Sequence, residues 1–206
     1  MTSRFIVLDG VEGCGKSTQI RRLSEYLTAS GYTVTQTVEP GGTPVGLKVR
    51  ELLLDPAYSE MTPLTELMLF CASRAQHCDE VIRPALDAGN IVLCDRFASA
   101  TVVYQGYAGG LDVATIETVN HIATRGLQPD LLIVLDIDPG IGMTRKLGAG
   151  MTADRIEEKS LEFHRKVRDG FLTYAQAHSD FAVVVDADRD PDVVFTDLKK
   201  LVACEA

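Results

Sequence analysis

Near the start of the chain, Gly10-Val11-Glu12-Gly13-Cys14-Gly15-Lys16-Ser17, followed by Thr18, fills every fixed position of the phosphate-binding pattern G-x-x-x-x-G-K-[ST]. Residues of these types at this spacing hold a nucleotide's phosphates. Glycines let backbone N–H groups curl around phosphate oxygens, and a helix that begins inside the motif adds the positive end of its dipole. Lys16 then reaches the β- and γ-phosphates, and the Ser17 hydroxyl is the expected Mg²⁺ ligand. Further along, Asp95-Arg96 closes the apolar run Ile91-Val-Leu-Cys94. An acid followed by an arginine at a strand's C-terminal end suits a site that binds a second anion beside a metal. A surface ion pair is the blander reading of that dipeptide.

The elements that must position these groups follow from periodicity. Residues 3–9 form an apolar, β-branched strand, and Ile20, Leu23 and Leu27 carry a helix over 16–29, stopped by Ser30-Gly31. Residues 32–38 alternate as a second strand, ending in the loop Glu39-Pro-Gly-Gly-Thr43. A short helix is expected over 45–54. A long one over 64–88 has Thr62-Pro63 at its start and Pro84 as an internal kink. Strands at 91–94, 131–135 and 181–185 alternate with helices at 112–124, 140–147, 157–177 and 191–202. Such alternation implies a parallel sheet covered on both faces. The glycine-rich stretch Gly148-Ala-Gly-Met-Thr-Ala153 interrupts two helical patterns, so a lid is expected at about 146–156. No repeat or linker divides residues 1–206, which are expected to form one domain.

A net charge of −9 argues against a long nucleic-acid backbone as partner, because that calls for a basic face. A mononucleotide needs only a local cluster of cations. The five cysteines are odd in number and lack C-x-x-C spacing, so they are expected as reduced thiols. No apolar run reaches the ~18 residues that a membrane helix requires, and the chain enters a strand almost at once, so no signal peptide is expected. These features lead to the expectation of a cytoplasmic location. Among the owners of phosphate-binding loops, the chain lacks the Asn-Lys-x-Asp motif of GTPases and the strand-terminal Asp-Glu of many motor ATPases.

Taken together, the motifs resemble the thymidylate kinase family, of the bacterial kind, over nearly the whole chain. The elements are the loop at 10–18, Glu39-Pro40-Gly41-Gly42-Thr43, Leu69-Phe70-x3-Arg74 and Asp95-Arg96-Phe97. They continue with Tyr104-Gln105-Gly106, Leu135-Asp136-x-Asp138-Pro139 and Asp154-Arg155-Ile156-Glu157. The resemblance implies a three-layer α/β nucleoside-monophosphate-kinase fold with strand order 2-3-1-4-5. It also implies transfer from ATP, with Mg²⁺, to dTMP, and a homodimer. Carried over by position, Phe70 stacks on thymine, Arg74 bonds its edge, Arg96 holds the acceptor phosphate, and Asp95 helps organise Mg²⁺. Tyr104 presses where a 2′-hydroxyl would sit, Glu12 faces sugar and metal, and Thr101 and Gln105 flank the base. Arg50 either reaches the acceptor phosphate or lies on a solvated helix face.

The chain departs from the pattern at several positions, Ala100 and Gly109 among them, where relatives often have a serine and an arginine. Related enzymes carry an arginine in the loop or in the lid to stabilise the transferred group. Gly13 and Cys14 occupy the loop here, and Gly148, Ala149 and Gly150 the lid. Of the basic residues left, Arg145, Lys146 and Arg155, the last is the expected transition-state contact and Arg145 the expected adenine contact. Two other readings remain open at this level: a kinase for another pyrimidine deoxynucleotide or deoxynucleoside, and a non-catalytic protein that senses ATP.

Overall fold

A computed structural model describes residues 3–148 and 154–203. Residues 149–153 of the expected lid, and Cys204, lie outside the described residues. Five strands, β1 (Arg4–Gly10), β2 (Val34–Val38), β3 (Ile91–Asp95), β4 (Leu131–Asp136) and β5 (Ala182–Asp186), pair in parallel in the order β2-β3-β1-β4-β5. Phe5 to Leu8, Val92 to Cys94 and Leu132 to Leu135 are buried on both sides of the sheet, as continuous apolar runs require. The register brings Asp95 level with Leu8 and with Val38, and Leu135 level with Gly10. The C-terminal ends of β1, β2 and β3 therefore converge, and the chemistry-bearing residues collect there.

Helix α1 (Lys16–Ala29) begins inside the glycine motif and buries Ile20, Leu23 and Leu27. Helices α2 (Pro44–Leu54) and α3 (Pro63–His77) pack together, capped by the Thr43 and Thr62 hydroxyls. The long helix expected over 64–88 is not one continuous helix. After α3 a π-helical turn, Cys78–Ile82, intervenes before α4 (Arg83–Asp87). Pro84 is the physical reason: it lacks an N–H and its ring collides with the preceding turn.

Residues 98–107, for which periodicity gave no element, form α5 (Ala98–Thr101) and a π-helical stretch, Val102–Tyr107. Helix α6 (Val113–Thr124) follows its Asp112 cap, and α7 (Pro139–Gly148) follows β4. The helix expected from Glu157 starts instead at α8 (Leu161–Ala177), capped by Ser160. Residues 154–157 close on themselves: the Asp154 carboxylate accepts from the Ile156 and Glu157 amides, and Glu157 accepts from the Asp154 amide. This is the reciprocal bonding of a capping box, spent on a turn. Helix α9 (Pro191–Ala203) ends the described chain. Among the described residues no helix is long and apolar enough to cross a membrane.

Candidate active site

The loop after β1 has the conformation that only glycine adopts readily, with positive φ at Gly10 (135°), Gly13 (69°) and Gly15 (97°). A Cβ on Gly13 would lie 2.0 Å from the Gly142 carbonyl oxygen of α7. The close approach of α7 thus forbids any side chain at 13, which accounts for the missing loop arginine. Lys16 is buried, and its Nζ donates to the carbonyls of Gly10 (3.1 Å) and Val11 (3.0 Å). Gly15 is the N-cap of α1, so the unpaired amides at that helix start face the loop. Ser17 donates from its hydroxyl to Asp95 at 2.9 Å.

Beside the loop stands a charge cluster. Arg96 has φ 69°, an uncommon value for a residue with a side chain. Its guanidinium donates to Asp9 (3.3 Å), to the Gly10 carbonyl (3.0 Å) and to Glu12 (2.6 Å), and it lies over the Tyr104 ring. Tyr104 donates its hydroxyl to Glu12 at 2.9 Å. Burial works against charge on Glu12, yet Arg96, Lys16 and the Tyr104 hydroxyl together hold its carboxyl down to about 2. Asp9 goes the other way: complete burial raises it, only partly offset by Arg96 and the Ser99 hydroxyl. Burial likewise pushes the Tyr104 phenol well up, so it remains a donor. Asp9 and Ser99 had no assignment from the sequence. The only signal was an acid closing an apolar strand.

Next to this cluster opens a cleft of about 620 Å³, including its mouth, whose lining includes Arg50, Phe70, Arg74, Arg96, Thr101 and Tyr104. Arg50 lines the cleft and donates to the Pro40 carbonyl at 2.9 Å. Phe70 is half-buried with Arg74 one turn on, on the same face of α3. Arg74 is fully buried, its charge compensated by Glu39 at 2.8 Å, and it donates further to Asn120 (2.6 Å) and Thr101 (2.9 Å). Gln105 also lines the cleft and donates to buried Glu66 at 2.7 Å. Buried His77 contacts Glu39 directly.

One expected residue is placed elsewhere. Arg155 is not brought to the phosphate loop. Its guanidinium pairs with Glu66 and donates to the Leu53 carbonyl (2.8 Å), at the corner between α2 and α3. Arg145 spans to the segment after β5, donating to the Ala187 carbonyl (3.2 Å) and to Asp188 (3.1 Å). Lys146 pairs with Glu157, a cleft-lining residue, and is one of the cations whose field lowers Glu12.

For a metal, the described residues hold no group of three or more His, Cys, Asp or Glu arranged as a cage. Ser17 and Asp95, in direct contact, supply hard oxygen donors instead. That set fits Mg²⁺, which takes one or two protein oxygens and completes its shell with phosphates and water.

Comparison with known proteins follows the same lines. The family model described as thymidylate kinase matches residues 8–198. The thymidylate kinase of Maridesulfovibrio salexigens is 45% identical over 201 residues, 95% of this chain and 93% of the relative. That of Citrifermentans bemidjiense is 50% identical over 191 residues, 90% and 85% of the two chains. The crystal structure of thymidylate kinase from Ehrlichia chaffeensis superposes with a TM-score of 0.81 at 31% identity, covering 98% of this chain and 100% of that one.

Proposed function

The chain belongs to the thymidylate kinase family, and we propose how its cleft transfers the γ-phosphoryl group of ATP to dTMP, giving dTDP and ADP. The observation that carries the reading is the placement of Arg96 between the phosphate loop and the cleft, held by Asp9, Glu12 and the Gly10 carbonyl. A guanidinium so fixed meets the acceptor phosphate where the donor phosphates end. Two anions can then approach in line without mutual repulsion.

On this reading the loop amides and Lys16 cradle the ATP phosphates, and Arg145 borders the adenine beside Ala187. Ser17 and Asp95 hold Mg²⁺, which when bound neutralises charge on the β- and γ-phosphates. Phe70 stacks on the thymine, Arg74 meets its edge, and Thr101 and Gln105 close the pocket around it. Tyr104, pinned by Glu12, fills the space a 2′-hydroxyl would need. The acceptor phosphate is itself the nucleophile, so no general base is required. The cation for the transferred group is assigned to Lys146 in place of Arg155, because α7 rests on the loop and Lys146 acts on Glu12 there. Lys146 pairs with Glu157 beside the cleft, whereas Arg155 pairs with Glu66 at the corner between α2 and α3.

The enzyme works as a homodimer in the cytoplasm. Support comes from the exposed apolar pairs Leu64 and Met68 on α3 and Val45 and Leu52 on α2, and from Cys14, Cys71, Cys78 and Cys94, all buried and unpaired. The direct test of the acceptor site is Arg96→Lys, which loses the planar fork. Its kcat/KM for dTMP falls by about tenfold or more while KM for ATP stays near the original. An equal loss toward both substrates would contradict the assignment.

A further inference from the structure

We propose that His77 is a positioning residue for recognition of the acceptor base, acting through Glu39 on Arg74. The inference rests on the reading that Arg74 meets the base edge. His77 is fully buried in the last turn of α3, one helical turn beyond Arg74. Its Nδ1 lies 3.0 Å from Glu39 Oε1, while the other oxygen of the same carboxylate accepts from Arg74 Nε at 2.8 Å. The carboxylate only accepts, so Nδ1 carries the proton and donates. On the far side, Nε2 lies 2.5 Å from the Thr37 hydroxyl of β2, which donates or accepts as the ring demands.

The imidazole is also clamped from above. A Cβ on Gly42, where φ is +76°, would stand 2.5 Å from His77 Cδ2 and 2.6 Å from Nε2. The 39–43 loop is thus folded directly onto the ring, and the Gly41 amide donates to the buried Ser73 hydroxyl at 3.3 Å. Arg74, Ser73 and His77 form one stripe of α3 that seats this loop. The stripe fixes Glu39, and Glu39 fixes the plane of the Arg74 guanidinium. Without His77 one carboxylate oxygen loses its buried donor, and Glu39 is free to rotate away from Arg74. The base pocket then loosens while the phosphate loop, on another element, is untouched.

The test compares His77→Leu, His77→Asn, His77→Gln and Arg74→Lys in steady-state kinetics with dTMP and ATP. Asn places its amide N–H near Nδ1 and keeps the Glu39 bond; Gln places it near Nε2 and keeps only Thr37. In His77→Leu and His77→Gln the KM for dTMP rises by about tenfold and KM for ATP stays within about twofold, whereas His77→Asn stays within about threefold of the parent for both. Unchanged KM for dTMP in His77→Leu, or equal behaviour of the Asn and Gln variants, overturns the inference. If the Leu variant does not fold, the Asn and Gln pair decides by itself. Arg74→Lys separates the two levels. If it leaves KM for dTMP unchanged, the base-edge reading fails. If it raises that KM while His77→Leu and His77→Gln do not, only the role of His77 fails.

Discussion

At the scale of single residues the site works by setting like groups apart. Asp9 and Glu12 stand three residues from one another and share Arg96, yet burial raises the first while Arg96 and its neighbours hold the second at about 2. Glu12 is thus a permanent anion that locks Arg96 and Tyr104 in place. Its folded pKa lies below its ordinary value of 4.5, so its stabilisation is present above that value and is lost as pH falls toward 2. Glu12→Gln should therefore show a shallower decline of Tm between pH 5 and pH 3 than the parent, by a few degrees. Parallel declines in melting scans would refute this. Lys16 is buried against two loop carbonyls, and on the proposed reading it meets the phosphates as a fixed point charge. Lys16→Ala should lower kcat by about a hundredfold or more in ADP-release assays.

At the scale of elements, the close contact between α7 and the phosphate loop fixes where α7 sits beside the site. Gly142 has as little room as Gly13: a Cβ there would stand 2.1 Å from the Glu12 carbonyl oxygen. Gly142→Ala should push α7 and Lys146 off the loop, cost about 1–3 kcal/mol, and lower kcat more than KM for dTMP. Equilibrium melting with kinetics on the same sample checks both. The strands were legible from sequence because β1, β3, β4 and β5 are continuous apolar runs and β2 alternates, with bounds differing by a residue or two from those observed. Residues 98–107 were not, since a π-helical stretch shifts the spacing away from the helical repeat that periodicity detects. The same segment carries Thr101, Tyr104 and Gln105, which resemblance to a family supplied and periodicity could not. Arg155 was misplaced for a related reason: nothing in the spacing of Asp-Arg-Ile-Glu tells whether the arginine faces the loop or Glu66.

At the scale of the whole molecule, the parallel register sets the C-terminal ends of β1, β2 and β3 side by side, so donor loop and acceptor cleft share one rim. What the sequence could not convey is the layer behind the cleft, where Thr37, His77, Glu39, Arg74 and Asn120 form one buried polar network across four elements. Such partners are joined only by folding, without a local signature. On the outer side, α2 and α3 expose Val45, Leu52, Leu64 and Met68. Leu64→Glu with Met68→Glu should shift the sedimentation coefficient from that of a dimer to that of a monomer, and a parent already monomeric at micromolar concentration would refute the dimer. The most direct measurement of all is ADP formation from ATP and Mg²⁺ with dTMP, dUMP, dCMP or no acceptor. ADP release should be rapid with dTMP and next to none without an acceptor or with dCMP. Equal slow release in every tube would contradict this, because ATP would then be hydrolysed at a loop that no acceptor cleft serves.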